Sequence, residues 1–376
     1  MKVLINLLQC HREYTGTGRY IRNICRELAK IAPRDQFVQL VAMDNAETYR
    51  IGSDNFSQIR VPLRITRRTQ RILFEQAFGP WLWQRFRGLD NVLWSPNDVP
   101  IIGWPGRQVV TIHDLRRLHL PQYFGTTERL YYRAMMQLAA LRSTRILTVS
   151  EFSKRDIHEQ YNVPLDRIHV AYNAVDPELK RELNELRIEG VLSRFGLRKP
   201  FILFVGQQLE IKGPHTLVEA FARVVVARPE LQLALVGKPG NATALIDSIA
   251  EHHGLGESLR RIPWVSDEDL RCLYSAATAM AFPSRYEGFG IPIIEAMQCG
   301  TPVITTRHSC LPEVAGEAAY FVHDDEVSTL AETLNKVLSD QTQQRDMISR
   351  GFKNAARFSW QTSASQVLDA LTAATR

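Results

Sequence analysis

Short apolar runs recur along the chain and alternate with longer stretches of mixed polar and apolar residues. These runs show no period-2 alternation, which is typical of parallel strands covered on both faces. We predict strands at 2–8, 37–43, 109–113 and 146–150, and again at 201–206, 232–236, 279–282 and 302–306. The pattern therefore contains two successive sets of strands.

Helical patterns lie between the runs, for example at 18–31 and 128–140. Alternating strands and helices in two sets predict an α/β protein with two doubly wound domains. We place the boundary within 172–177, after a short strand at 168–171, and predict a charged helix over 177–194. Ligands bind such sheets at the carboxyl ends of the strands, so we expect the active site in the interdomain cleft.

Length and charge agree with two domains. The chain has 376 residues, whereas a domain typically has roughly 100–200. Residues 1–172 hold 25 Lys/Arg and 15 Asp/Glu, and residues 173–376 hold 21 and 25. A basic half and a mildly acidic half indicate two domains that face different partners. The five cysteines form no C-x-x-C pair, which favours thiols in a reducing cytoplasm.

The segment after the predicted strand 279–282 contains the highest concentration of candidate functional residues. It reads PSRYEGFGIPIIEA over 283–296. Gly288 and Gly290 allow a tight turn and a close approach of the backbone to a ligand. A helix over 291–299 would then present its N-terminal N–H groups to a phosphate.

Two glutamates in this segment, Glu287 and Glu295, are separated by seven residues that include Gly-Phe-Gly-x-Pro. Singly, each is readily explained as a surface carboxylate. Together with 296–304 and 311–314, the pattern closely resembles family 4 retaining glycosyltransferases of the GT-B fold. The likeness extends over nearly the whole chain.

The resemblance implies a fold of two Rossmann-like domains that face an interdomain cleft. The N-terminal, acceptor-side domain would be 1–173, and the C-terminal, nucleotide-sugar-binding domain would be 174–359. The helix 360–376 would pack back on the first domain. Together with the cleft, this division implies separate regions for acceptor and donor.

The resemblance also implies roles for residues of the second domain. Lys212 matches a lysine that binds the diphosphate, whereas the family's usual Arg after the strand's glycine is replaced here by Gln207. Glu287 would hold sugar hydroxyls and Glu295 the ribose. Further donor contacts are expected at Val265, Gly288, Phe289, Gly290 and Ile291. Without the family context, Lys212 is an ordinary solvated lysine and Ser266 a simple helix cap.

Two features of the first domain resemble the same family. Gly16 and Gly18 lack the third glycine of a dinucleotide fingerprint and better fit a glycine-rich loop over phosphate or acceptor. His113 follows a predicted strand, and its His-Asp pair resembles the family's strand-end motif near the donor sugar and diphosphate. Without the family context, the residues favour a structural histidine. Ser150 or Ser153 could cap the next helix.

A basic stretch from Arg60 to Arg87 interleaves arginines with aromatic residues around one acid, Glu75. It allows two interpretations, an interfacial surface for anionic lipid or a domain helix with core aromatics and a solvated Arg face. No nucleic-acid module and no metal-ligand spacing is visible, so we expect neither partner. No run approaches the length of a membrane-spanning helix. These features favour a cytoplasmic protein, peripheral on the inner face of the membrane in the first interpretation.

We therefore expect an enzyme that transfers a hexose, with GDP-mannose as the guessed donor, to a hydroxyl of a saccharide or lipid-linked saccharide. The resemblance implies retention of configuration and no cofactor or metal. Catalysis would rest on His113, Lys212 and Glu287. The alternatives are a nucleotide-sugar epimerase or a sugar phosphorylase on the same fold, and a non-catalytic nucleotide-sugar-binding protein. A glycosidase-like Glu287 nucleophile is a further possibility, against which the family pattern speaks.

Overall fold

The structure of the protein is a computed structural model. It describes residues 1–10, 16–64, 68–86, 88, 91–322 and 326–376, without the side chains of 68–71, 78, 80, 83 and 85. The described chain divides into two compact units. The first consists of Met1–Asn173 and Ser359–Arg376, and the second of Ala174–Phe358.

The first unit is a doubly wound α/β domain. Its strands are β1 (Lys2–Asn6), β2 (Gln36–Ala42), β3 (Phe56–Val61), β4 (Asn91–Ser95), β5 (Gln108–Thr111), β6 (Arg145–Thr148) and β7 (Ile168–Val170). Its helices are α1 (Gly16–Ile31), α2 (Arg68–Phe86), α3 (Arg116–His119), α4 (Thr126–Arg142), α5 (Glu151–Tyr161) and, from the end of the chain, α14 (Trp360–Thr375). All strand pairs are parallel, in the order β3-β2-β1-β4-β5-β6-β7.

The second unit repeats this architecture. Its strands are β8 (Phe201–Val205), β9 (Gln232–Val236), β10 (Leu259–Ile262), β11 (Ala279–Phe282), β12 (Val303–Thr306) and β13 (Ala319–Val322). Its helices are α6 (Glu185–Arg194), α7 (Pro214–Val225), α8 (Thr243–His252), α9 (Asp267–Ala276), α10 (Ile291–Gln298), α11 (Leu311–Ala315), α12 (Val327–Ser339) and α13 (Gln341–Ala355). The parallel strands follow the order β10-β9-β8-β11-β12-β13.

The strand order of each sheet reverses at one point, and this determines where a ligand can bind. In the first unit the reversal lies between β1 and β4, and in the second between β8 and β11. The loops after two such strands diverge to opposite faces of the sheet and leave a crevice at their carboxyl ends. The prediction of two doubly wound sheets is thus confirmed.

Continuous apolar strands supply the core of both sheets. β5 and β9 are buried at every position, as a strand covered by helices on both faces must be. The terminal helix α14 packs on α1 and on strands of the first sheet, with its apolar face buried at residues that include Val367 and Leu371.

One predicted helix was wrong in its extent. We expected a helix over 177–194, but α6 begins at Glu185. Asn184 accepts a hydrogen bond from the Arg187 backbone N–H, which caps the helix there. Glu182 pairs with Arg271 at 2.8 Å, and this ties the preceding chain down in a non-helical form. Among the described residues, no helix combines the length and apolar character needed to cross a bilayer.

Candidate functional site

Lys212 and Glu287 meet at the strand reversal of the second unit. Lys212 follows β8, and Glu287 follows β11, 75 residues later along the chain. Because β8 and β11 are neighbours, both loops end at the same crevice. The Lys212 Nζ donates to Glu287 Oε1 at 2.7 Å, and the two side chains are only 18% and 15% exposed. The topology has therefore brought two predicted site residues together as a partly buried ion pair.

A tight turn fixes the position of Lys212. Gly213 follows it with a φ of +68°, and a Cβ there would lie 2.3 Å from the carbonyl oxygen of Pro283. Only glycine meets both requirements, the left-handed conformation and the missing side chain. The Lys212 ammonium also lies 5.3 Å from the centre of the Phe282 ring. The lysine is consequently held at the crevice by its backbone and by an aromatic face.

Three residues that the sequence analysis did not single out position Glu287. The Ser284 hydroxyl donates to Glu287 Oε1 at 3.0 Å, and the Glu287 backbone N–H donates to Ser309 Oγ at 3.0 Å. The Cys310 thiol donates to the Glu287 carbonyl at 3.1 Å, and burial raises the pKa of this thiol well above its usual value. Ser309 and Cys310 belong to the next loop, so no local pattern could have indicated them.

The glycine-flanked turn leads directly into α10. Gly290 has a φ of +90° at the position before the helix, and Pro292 lies in its first turn. Among the described residues, no side chain caps this N-terminus. Phe289 is buried and its ring packs edge-on against Phe358 at 5.2 Å. A donor contact at Phe289 would therefore involve its backbone, like those predicted at Gly288, Gly290 and Ile291.

Glu295 lies one turn inside α10 and is only 3% exposed. The hydroxyl of Tyr274 in α9 donates to its Oε2 at 3.0 Å. This hydrogen bond orients a carboxylate that would be costly to bury alone. Tyr274 is a fourth positioning residue that sequence reasoning missed.

Two further residues of the second unit that were predicted to bind the donor lie on the loops after β8 and β10. Gln207, just after β8, is exposed and its side-chain amide donates to the Pro239 carbonyl at 3.3 Å. Val265 is half-buried and comes directly before Ser266, whose hydroxyl accepts from the Asp269 N–H and caps α9. The predicted helix cap at Ser266 is confirmed.

His113 follows β5 in the first unit. Its backbone N–H donates to Asp98 Oδ1 at 2.9 Å, and its Nε2 lies 2.9 Å from the Pro96 carbonyl. Because a carbonyl only accepts, Nε2 is the nitrogen that carries the proton. Burial raises the pKa of Asp98, and the nearby imidazole opposes this shift. The Tyr20 ring contacts His113 edge-on at 5.3 Å.

The predicted loop position of Gly16 and Gly18 was wrong, because both glycines lie in a helix. Both belong to the first turn of α1, which begins at Gly16. Helix N-terminal N–H groups lack intrahelical partners in any case, so glycine is least costly there. Tyr20, Ile21 and Ile24 anchor the turn through the core. Residues 11–15 lie outside the described residues.

The basic stretch 60–87 forms a helix over most of its length, α2. Its acid, Glu75, is 1% exposed and accepts hydrogen bonds from the side-chain amides of Asn6 and Gln9. Phe86 is buried, whereas Trp81 is 48% exposed. Arg67 and Arg87 and several of the arginine side chains of α2 lie outside the described residues. Ser150 caps α5 by accepting from the Ser153 N–H, as predicted.

Within the described ranges, no group of three or more His, Cys, Asp and Glu side chains is arranged to hold a metal ion. The candidate chemistry of the second unit is therefore a crevice with one lysine, two carboxylates and a helix N-terminus. Such an arrangement can stabilise a phosphate and orient hydroxyl groups.

Two family models match the chain. Residues 193–354 match glycosyl transferases group 1, and residues 14–179 match glycosyltransferase family 4. An O-antigen chain mannosyltransferase B of Escherichia coli is 30% identical over 98% of this chain and 99% of its own length. The O-antigen chain mannosyltransferase RfbU of Salmonella typhimurium is 26% identical over 95% of each chain.

Solved structures show the same fold. The structure of Anabaena HepE in complex with UDP and glucose is 18% identical, with a TM-score of 0.77 over 98% of each chain. WaaG, a glycosyltransferase of lipopolysaccharide biosynthesis, is 18% identical, with a TM-score of 0.75 over 98% of this chain and 99% of its own.

The fold and these matches define the class of protein, which is a glycosyltransferase built from two parallel α/β domains of the GT-B type. The chain belongs to glycosyltransferase family 4 and is a hexosyltransferase. The predicted family, fold and enzyme class are confirmed.

Proposed function

We propose that this enzyme transfers mannose from GDP-mannose to a hydroxyl of a saccharide or lipid-linked saccharide in cell-envelope polysaccharide or glycolipid assembly. The mannosyl group is supported by relatives named O-antigen mannosyltransferases that match over nearly their whole length. The observation that most directly supports a nucleotide diphosphate sugar as donor is the Lys212–Glu287 pair beside the N-terminus of α10.

The chemistry is largely electrostatic. The bond between the sugar's anomeric carbon and the diphosphate oxygen breaks, and its electron pair leaves with the nucleoside diphosphate. Lys212 and the backbone amides at the start of α10 stabilise the departing negative charge. To do so, the Lys212 ammonium turns from Glu287 toward the diphosphate. Gln207 adds a hydrogen-bond donor there but no charge.

The acceptor hydroxyl forms the new bond on the face that the diphosphate leaves, which retains the configuration. Its proton passes to a phosphate oxygen of the leaving group, so no protein base and no metal is needed. Glu287 holds sugar hydroxyls and Glu295 the ribose. A carboxylate that accepts a hydrogen bond from the Ser284 hydroxyl is better suited to orienting hydroxyls than to attack, because that donor stabilises its negative charge.

The acceptor is proposed to be available at the inner face of a membrane. The basic first half of the chain, with 25 Lys/Arg against 15 Asp/Glu over residues 1–172, supports attraction to an anionic surface. Loss of vesicle binding at high salt would support this location. Equal binding to neutral and anionic vesicles would contradict it.

A thermal-shift screen of GDP-, UDP- and ADP-linked sugars tests the donor class. We expect GDP-mannose to raise the unfolding temperature most, and a Glu287→Gln variant to lose transfer while it still binds GDP. Nuclear magnetic resonance of the product should show the same anomeric configuration as the donor, as retention requires. EDTA should leave the transfer rate unchanged, because no metal is needed. No stabilisation by any nucleotide sugar would overturn the proposal.

A transfer assay with and without an acceptor separates the alternative functions. An epimerase would convert the donor without an acceptor, and a phosphorylase would need inorganic phosphate. A non-catalytic binding protein would keep its function in Glu287→Ala. A sugar trapped covalently on Glu287 would replace the proposed mechanism with a double displacement.

A further inference from the structure

A pocket in the first unit has no role in the function described so far. Its cavity volume is about 140 Å³. Asp98 and Asp114 line the pocket, and they follow β4 and β5 at the carboxyl edge of the sheet. Tyr161, the last residue of α5, and residues of α3 and α4 line it as well. The pocket thus adjoins the ligand-binding edge of the sheet.

The two acids mark a place for hydroxyl groups in the pocket. Asp98 also accepts the backbone N–H of His113, so this part of the pocket directly adjoins a predicted site residue. Carboxylates accept hydrogen bonds from sugar hydroxyls and repel phosphate. An anionic group in the pocket would accordingly lie away from the two acids.

Two arginines line the pocket farther along α4. Arg129 and Arg133 are one helical turn apart on one face, and both are exposed. Neither guanidinium group makes a hydrogen bond or an ion pair with another residue in the part of the chain that the structure describes. Arg117, by contrast, is held by Glu128 at 2.9 Å and lies 3.7 Å from the centre of the Tyr132 ring. Arg129 and Arg133 are therefore two cations that a ligand can engage.

Much of the remaining wall of the pocket is apolar. Leu115 and Met136 are buried there, and Leu118 is half-buried. Leu130 lines the pocket with its side chain 64% exposed. An apolar pocket with a few convergent polar groups is the usual form of a small-molecule site.

The geometry points to an acceptor site for a glycan that carries a phosphate ester, with its hydroxyls at Asp98 and Asp114 and its phosphate on Arg129 and Arg133. This assignment rests on the proposed transfer function and adds the chemical class of the acceptor. Guanidinium groups bind phosphate through paired N–H donors, which fits two arginines on one helix face.

Titration with octyl phosphate, below the concentration at which it forms micelles, tests the site. The full-length Lys212→Ala variant is used, because it weakens the competing diphosphate site. We expect saturable binding, and an affinity at least about tenfold lower when Arg129→Gln and Arg133→Gln are added, since each charge-assisted bond to phosphate is strong. The matched control is Arg142→Gln, an exposed arginine on the same helix outside the pocket, which should leave binding unchanged.

Two further probes distinguish the source of the phosphate. Inorganic phosphate that binds as tightly as octyl phosphate indicates a water-soluble sugar phosphate as acceptor. Octyl phosphate that binds much more tightly indicates a lipid-linked phosphate. Both results support the site, whereas octyl glucoside that binds as well as octyl phosphate overturns it.

Unchanged octyl phosphate binding in the double arginine variant also overturns the site. The same variants, with Lys212 intact, are tested for GDP-mannose binding, which the arginine changes should not alter. If no nucleotide sugar binds the unmodified enzyme, the proposed function fails, and the octyl phosphate result still decides the pocket. The unfolding temperatures of the variants should equal that of the parent protein. A loss of octyl phosphate binding then comes from the missing arginine side chains and not from misfolding.

Discussion

The Lys212–Glu287 pair shows how a single contact can combine stability and catalysis. Both side chains are largely buried, and removing one partner of such a pair leaves the other charge without compensation. The pair therefore keeps the crevice ordered without a donor. With a donor present, the diphosphate supplies the negative charge that Lys212 otherwise obtains from Glu287.

We expect Lys212→Ala to lower kcat/KM for transfer by roughly 10²–10³, because it removes a charge that acts on the departing diphosphate. Steady-state kinetics with GDP-mannose measures this. Lys212→Arg should recover part of the loss, since the charge returns but in a different shape. The exposed lysine of α13, Lys353, provides the control, and Lys353→Ala should leave the rate unchanged. Equal rates for Lys212→Ala and the control would contradict the assigned role.

Tyr274→Phe isolates the hydrogen bond to Glu295. The buried carboxylate loses a donor, so we expect a stability loss of about 1–3 kcal/mol and weaker GDP binding. Urea unfolding and calorimetry measure the two effects. Tyr320→Phe, in β13 of the same unit, is the matched hydroxyl deletion and should not change GDP binding. GDP binding that stays intact in Tyr274→Phe would show that Glu295 needs no orientation.

At the scale of elements, the strand ends determine the chemistry. β9 and β11 have the bounds that the apolar runs predicted. The loops after β8 and β11 carry Lys212 and Glu287, and their meeting depends on which strands are neighbours. Apolar runs of similar composition do not specify their order within a sheet.

The turn between Lys212 and α7 gives a sharp test at this scale. Gly213→Ala places a methyl group against the Pro283 carbonyl, so we expect several kcal/mol of destabilisation and poor donor binding. Gly254→Ala is the matched control. It has a similar φ of +59° but nothing within 4 Å, and should cost only about 1–2 kcal/mol. Equal urea midpoints for the two variants would contradict the close approach.

At the scale of the whole molecule, each unit contains a deeply buried thiol. Burial raises the pKa of Cys25 in the first unit and Cys299 in the second from 9.0 to about 12. The folded protein thus holds these protons at a pH where the unfolded chain releases them. Their contribution to stability is complete below pH 9 and is lost as the pH rises toward 12.

We therefore expect the free energy of unfolding to fall above pH 9 by roughly 1.4 kcal/mol per pH unit for each thiol. Urea unfolding between pH 8 and 10.5 measures the slope. Replacing both residues, Cys25→Ala and Cys299→Ala, should make the decline shallower, although the variant is less stable at neutral pH because small cavities remain. The same slope with and without the thiols would rule out this account.

The sequence by itself determined the class of fold and the class of enzyme. Continuous apolar runs admit few arrangements other than parallel strands covered by helices. The spacing of Glu287 and Glu295 around a glycine turn indicated the glycosyltransferase family. It also located the caps at Ser150 and Ser266, because capping is local. It failed where local patterns compete, as at 177–184 and at Gly16.

Only the tertiary structure decided which distant residues cooperate. Strand order joined Lys212 to Glu287, and helix packing placed Tyr274 on Glu295 and Ser309 and Cys310 on the Glu287 backbone. The same packing placed the face of α4 that carries Arg129 and Arg133 beside the apolar wall of a pocket. The physical reason is that periodicity encodes what a residue buries locally, whereas contacts between elements arise from the packing of the whole core.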